Sequence, residues 1–197
     1  MRSNLFRLCA LLALANLCAC QSPTLRTQAT PLIVTADTSK QKAGLDTRNN
    51  ALALLNELVN EEKHLSKVLL IKRESVELNR LVKEISAVAG QVADDLKVLA
   101  KLNPGLHLTA TGLPPGERAT RTSIAKVKQH LLLHSSGAEF EFQILLTQAE
   151  ALGYATHLAL VIAENEPQPA RAQEFSALSA RLKALHEQVL AMLRAPR

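Results

Sequence analysis

Between Leu45 and Leu102 apolar residues recur at steps of three and four, and no proline interrupts them. Leu52, Leu55, Val59, Leu65 and Leu69 form one stripe, and Leu81, Ile85, Val88, Val92, Leu96, Leu99 and Leu102 form a second. That spacing keeps one face of an α-helix apolar, so the region predicts helices that each bury a stripe. A single helix across both would be exceptionally long for a globular domain. A break is therefore expected near Arg73-Glu74-Ser75, with Ser75 as the cap of the second helix.

Asn103-Pro104-Gly105 ends that helix, because proline cannot continue the hydrogen-bond ladder and glycine accepts a reversed backbone. A long loop to Gly116 follows, in which Leu106, Leu108 and Ala110 alternate with His107, Thr109 and Thr111, a pattern that allows a short extended piece. A third helix is expected over residues 118–133. Ser136 with Glu139 three residues on has the form of a capping box opening a fourth, which Asn165, Pro167 and Pro169 stop. In the last segment Phe175, Leu178, Leu182, Leu185, Val189 and Met192 make a heptad seam that needs a partner helix. The predicted class is all-α, a ferritin-like or related bundle of four to five helices over residues 45–197.

The first 20 residues follow a different grammar. Arg2 and Arg7 precede an apolar run from Leu8 to Leu17, too short to span a bilayer, and Leu17-Cys18-Ala19-Cys20 closes it. The pattern resembles a bacterial lipoprotein signal, which implies cleavage after residue 19 and a diacylglyceryl group on the thiol of Cys20. Cys18 fits the modified position worse, because bulky Leu17 would then sit at the cut. With two or three acyl chains such a cysteine holds a protein stably on a membrane. By the same resemblance Gln21, in place of Asp, favours the outer membrane with the domain facing the periplasm. Residues 20–44 are rich in Ser, Thr, Gln, Pro and Ala and read as a flexible tether. As a coil it would span on the order of 25–30 Å. Leu32-Ile33-Val34 is an apolar exception within it.

Charge narrows the partners. Removing residues 1–19 takes Arg2 and Arg7 from the 23 basic residues and leaves 21 against 18 acidic ones, a balance of +3. With no Trp, one Tyr and four Phe, the chain lacks the aromatic platforms of single-strand binders, so a nucleic-acid partner is not expected. Lys63, Lys67, Lys72 and Arg73, like Arg118, Arg121, Lys126 and Lys128, read as solvated helix faces.

Candidate chemistry is sparse. A di-iron bundle uses four carboxylates and two Glu-x-x-His pairs on separate helices, whereas this chain has one such pair, Glu61 with His64, beside Glu62 near the apolar stripe. His130 and His134 share a helix face at zinc-ligand spacing, but only leucines lie between them and no activating glutamate. They are read instead as interacting with carbonyls at a helix C-terminus. His107 falls in a loop and His157 on a helix near Tyr154. There is no Gly-x-Ser-x-Gly elbow and no phosphate-binding glycine loop, so the sequence nominates no catalytic residue, cofactor or metal site.

Gly137-Ala138-Glu139-Phe140, the helix after it, Asn165-Glu166-Pro167 and Leu182-Lys183-Ala184-Leu185-His186 resemble a bacterial family of exported, ferritin-like helical proteins of unknown function, over roughly residues 65–193. The resemblance implies inward-facing histidines on several helices. Only His186 falls on such a position; Leu152 and the Gly90-Gln91 region stand where others would be, which implies a lost metal site. The functional expectation is a lipid-anchored envelope protein that acts as a non-catalytic binding or scaffold module, toward another envelope protein, lipid or cell wall. The alternative is a residual metal protein for iron or oxidants using Glu61, Glu62, His64 and His186.

Overall fold

Five α-helices account for nearly all of the regular structure in a computed structural model, which describes residues 32–195 apart from 71, 73, 110, 111 and 115, with side chains from residue 38. The expected signal peptide, Cys20 and the expected tether as far as residue 31 lie outside the described residues. The helices are α1 (Leu32–Glu62), α2 (Val76–Leu102), α3 (Glu117–His134), α4 (Gly137–Glu164) and α5 (Pro169–Arg194), with a 3-10 segment at Leu65–Leu70. Among the described residues there is no strand. The chain is an all-α bundle, as the hydrophobic periodicity predicts.

Contacts between helix ends give the directions. Arg48, midway along α1, reaches Glu166 just beyond α4, and Glu62 at the end of α1 meets Gln148 in the first half of α4. These two helices are antiparallel. Arg171 at the start of α5 bonds Asn103 at the end of α2, so that pair is antiparallel too. By contrast Ser75 N–H, at the start of α2, donates to Glu141 near the start of α4. Helices α2 and α4 therefore run parallel, and the loop after α2 together with α3 forms one long crossover between them. That connectivity is also found in ferritin-like bundles.

Boundaries follow local chemistry. Ser75 caps α2, its hydroxyl accepting from Leu78 N–H at 3.4 Å. The first stripe, however, is not one helix to Leu69: α1 ends at Glu62 because Ser86 on α2 donates to the Lys63 carbonyl at 2.7 Å, and the chain tightens into the 3-10 segment. Upstream, residues 32–44 are helical where composition suggests tether. Lys, Gln and Ala favour helix there, no proline follows Pro31 until Pro104, and each helical residue advances only about 1.5 Å. Ser136 is the cap residue of α4 but its side chain makes no cap bond, and Glu139 instead accepts from Gln143. The expected extended piece at residues 106–108 is a loop that lies on α1, with Leu106 buried and Asn56 donating to the Leu108 carbonyl.

The core is continuous through α1, α2, α4 and α5. The seam of α5 lies inward: Phe175, Leu182, Leu185 and Val189 are buried, with Leu178 and Met192 at the edge. Its partner is α4, which it approaches closely enough for Ser179 Oγ to donate to the Thr156 carbonyl at 3.0 Å. Helix α4 is long and apolar enough to cross a membrane by composition alone, yet eleven of its residues are buried within this core. Helix α3 is peripheral, burying only Leu132.

Candidate functional site

The residues weighed for metal do not come together. Glu61 and His64 are both exposed, His64 beyond the end of α1, so the Glu-x-x-His pair faces solvent. His186 is half-buried beside Gly153, its ring at ordinary van der Waals distance from where a Cβ on that glycine would stand. His130 and His134 are exposed with ring centroids 3.9 Å apart, and His134 Nδ1 pairs with the His130 carbonyl at 2.8 Å. That is the carbonyl interaction expected at this helix end. His107 and His157 are exposed. Among the described residues no three His, Cys, Asp or Glu side chains are grouped as a metal site would need.

Glu62 alone of the weighed set points to the centre of the bundle. Glu62 lines a small cavity of about 20 Å³ together with aliphatic residues of all four core helices, including Ile85, Leu152 and Leu185. A space of that size holds about one water. Gln148 Nε2 donates to Glu62 Oε2 at 2.9 Å, and Gln148 Oε1 is buried without a partner. Burial pushes the Glu62 pKa up to about 6; neighbouring Glu61 adds to the rise, while the Gln148 bond and Lys128 oppose it. The end of α1 also presents its negative dipole there. A di-metal centre requires several converging carboxylates and imidazoles, and these aliphatic walls do not fit one.

A second polar cluster ties the opposite end of the bundle and has no signature in sequence. The Glu166 side chain is fully buried between α4 and α5 and accepts from Arg48 at 3.3 Å, from Arg171 at 2.7 Å and from Gln168 N–H at 3.0 Å. Arg48 also donates to the Gly105 carbonyl at 2.9 Å, and Arg171 to Asn103 at 2.6 Å. Burial raises the Glu166 pKa, but the Arg171 bond, the backbone bond and the Arg48 charge outweigh it and hold the carboxyl below its usual value. The cluster joins α1, the crossover loop and the α4–α5 turn, so its chemistry is that of a structural clasp. The available clue was Asn49, Asn56 and Asn60, poor helix formers inside a long helix. Two of these, Asn49 and Asn56, bond the crossover loop.

Of the eight basic residues read as solvated faces, Arg73 lies outside the described residues and at least four have local roles, Lys63 donating to Asn60 Oδ1 at 2.7 Å among them. Lys72 donates to the Leu133 and Ser135 carbonyls, both at 2.7 Å, closing the end of α3. Arg121 bonds Glu117 and Tyr154 and lies over the Tyr154 ring, while Lys128 pairs with Glu150. Lys67 and Lys126 are exposed.

A concavity that the sequence did not single out lies elsewhere. The second half of α2 and the first half of α5 flank a groove of about 550 Å³. Buried Leu96 and Phe175 lie at its base, and Val98 and Leu102 on its lip are 59% and 73% exposed. Asp95, Glu174 and Arg181 supply its charges. A volume of this size lies within the range of ligand and peptide clefts, and exposed aliphatic side chains bordering such a cleft mark interaction sites. Sequence patterning assigned Leu96, Leu99 and Leu102 to one buried stripe; Leu96 is buried, whereas Leu102, at the C-terminal end of α2, is exposed. Searches against protein-family models, curated proteins and solved structures find no match for this chain.

Proposed function

We propose that this is a lipid-anchored helical binding module of the cell envelope, held to the membrane through Cys20 and working through the α2–α5 groove without catalysis. The observation that carries the reading is the exposure of Val98 and Leu102 on the lip of an apolar groove. Leaving large aliphatic side chains in water forgoes about 25 cal/mol for each Å² that burial would remove, so a partner covering them gains that term. The polar cluster at Glu166 ties helix ends together, and the centre of the bundle is aliphatic apart from Glu62 and Gln148. Neither presents a nucleophile beside a base.

The signal-like segment at residues 1–19 supports delivery across the inner membrane, and the position of Cys20 supports anchoring there or on the outer membrane. A photoreactive side chain placed at Leu102 in the anchored protein in intact cells tests the reading. A crosslinked product of defined mass is expected from that position and not from exposed Lys83 on the same helix. Equal or no products from the two positions would overturn it.

A further inference from the structure

We propose that the groove is a self-association surface, occupied by α5 of a second copy of this chain lying antiparallel to the first about a two-fold axis near Ala177. The inference rests on the reading of the groove as the working surface and names its partner. Its warrant is charge complementarity. Glu174 and Arg181 are exposed residues on the α5 side of the groove and are not in an ion pair with each other or with another described residue. A two-fold axis passing near Ala177 brings Glu174 of one copy opposite Arg181 of the other, and the symmetry makes the same pair twice.

The alternative helix orientation fails on the same residues. Parallel α5 helices would set Glu174 against its own counterpart and Arg181 against its own, placing like charges together. The antiparallel register also matches shape. Ala177 meets its counterpart and Ala170 meets Ala184, all three being exposed. Such small side chains allow helix axes to approach to about 8 Å. At that distance Val98 and Leu102 of one copy lie over the partner's α5, and the exposed aliphatic lip is covered from both sides. A small amphiphile suits the groove less well, because Asp95 and Glu174 against Arg181 leave the rim net acidic and none of the three charges is buried.

The native mass of the full chain, extracted from membranes in mild detergent and measured by light scattering, tests the proposal. Two copies per particle are expected at micromolar concentration. Glu174→Arg should weaken association about tenfold or more, and adding Arg181→Glu should restore it, since the swapped charges still pair across the axis. Ala177→Arg should give single copies with an unchanged helical spectrum, the residue being exposed. A single-copy mass for the natural chain at all concentrations, or association indifferent to both Glu174→Arg and Ala177→Arg, would overturn the proposal. If single copies still give a Leu102-specific crosslink to a different protein, self-association fails while the groove remains the binding surface. If that crosslink is missing as well, both readings fall.

Discussion

Glu62 shows how one side chain sets the sign of a pH effect. Its pKa rises from 4.5 unfolded to about 6 in the fold, mainly through burial. The folded state therefore holds this proton more tightly than the unfolded chain. Its contribution is intact below pH 4.5 and is lost as pH rises through 6, at a cost of about 2 kcal/mol. Glu62→Gln should remove that slope and stabilise the protein at pH 7 by up to about 2 kcal/mol, as read by denaturant melts at pH 4.5 and 7. An unchanged slope between those values would show that the carboxyl is hydrated. Glu166 has the opposite sign. Its carboxyl is held below 4.5, so its contribution is present above that pH and lost as pH falls through the folded value. Glu166→Ala leaves Arg48 buried without its carboxylate partner and should cost about 3–5 kcal/mol, whereas a change under about 1 kcal/mol would refute the clasp.

Among elements, the α4–α5 pair depends most on side-chain size. Ala159 is fully buried, and the Ser179–Thr156 bond shows how closely the two backbones approach. Ala159→Leu should therefore cost about 1–3 kcal/mol by overpacking, measured as a lower denaturation midpoint with unchanged helical content. The heptad seam of α5 was legible because its apolar steps report directly which face turns inward, and Ser75 was legible because an N-cap is a local hydrogen bond. The end of α1 was not, since it depends on Ser86, more than twenty residues away, taking the Lys63 carbonyl. The helical state of residues 32–44 was hidden for another reason: a polar segment without apolar period gives the same pattern whether it is a tether or the exposed start of a helix. Arg48 and Glu166 were illegible because nothing local marks two charges 118 residues apart as partners.

At the scale of the molecule, a four-helix core carries an uncovered groove between α2 and α5, while the candidate anchor precedes the helices. Cys20→Ala should abolish acyl labelling and release the protein from membranes with its helices intact; retained labelling would contradict the assignment of Cys20. The candidate site was partly legible as apolar residues on α2, but which of them are left uncovered is decided by tertiary packing and not by the local pattern. The central claim is that Val98 and Leu102 serve association and not folding, and the double substitution Val98→Ser with Leu102→Ser tests it most directly. The measurement is thermal stability together with the yield of groove-specific crosslinks from a photoreactive group at exposed Asp95 on the groove. The account predicts stability within about 0.5 kcal/mol of the natural chain and loss of the crosslink. A substantial fall in stability with the crosslink retained would mean that these side chains belong to the fold and that the groove is not where the protein binds.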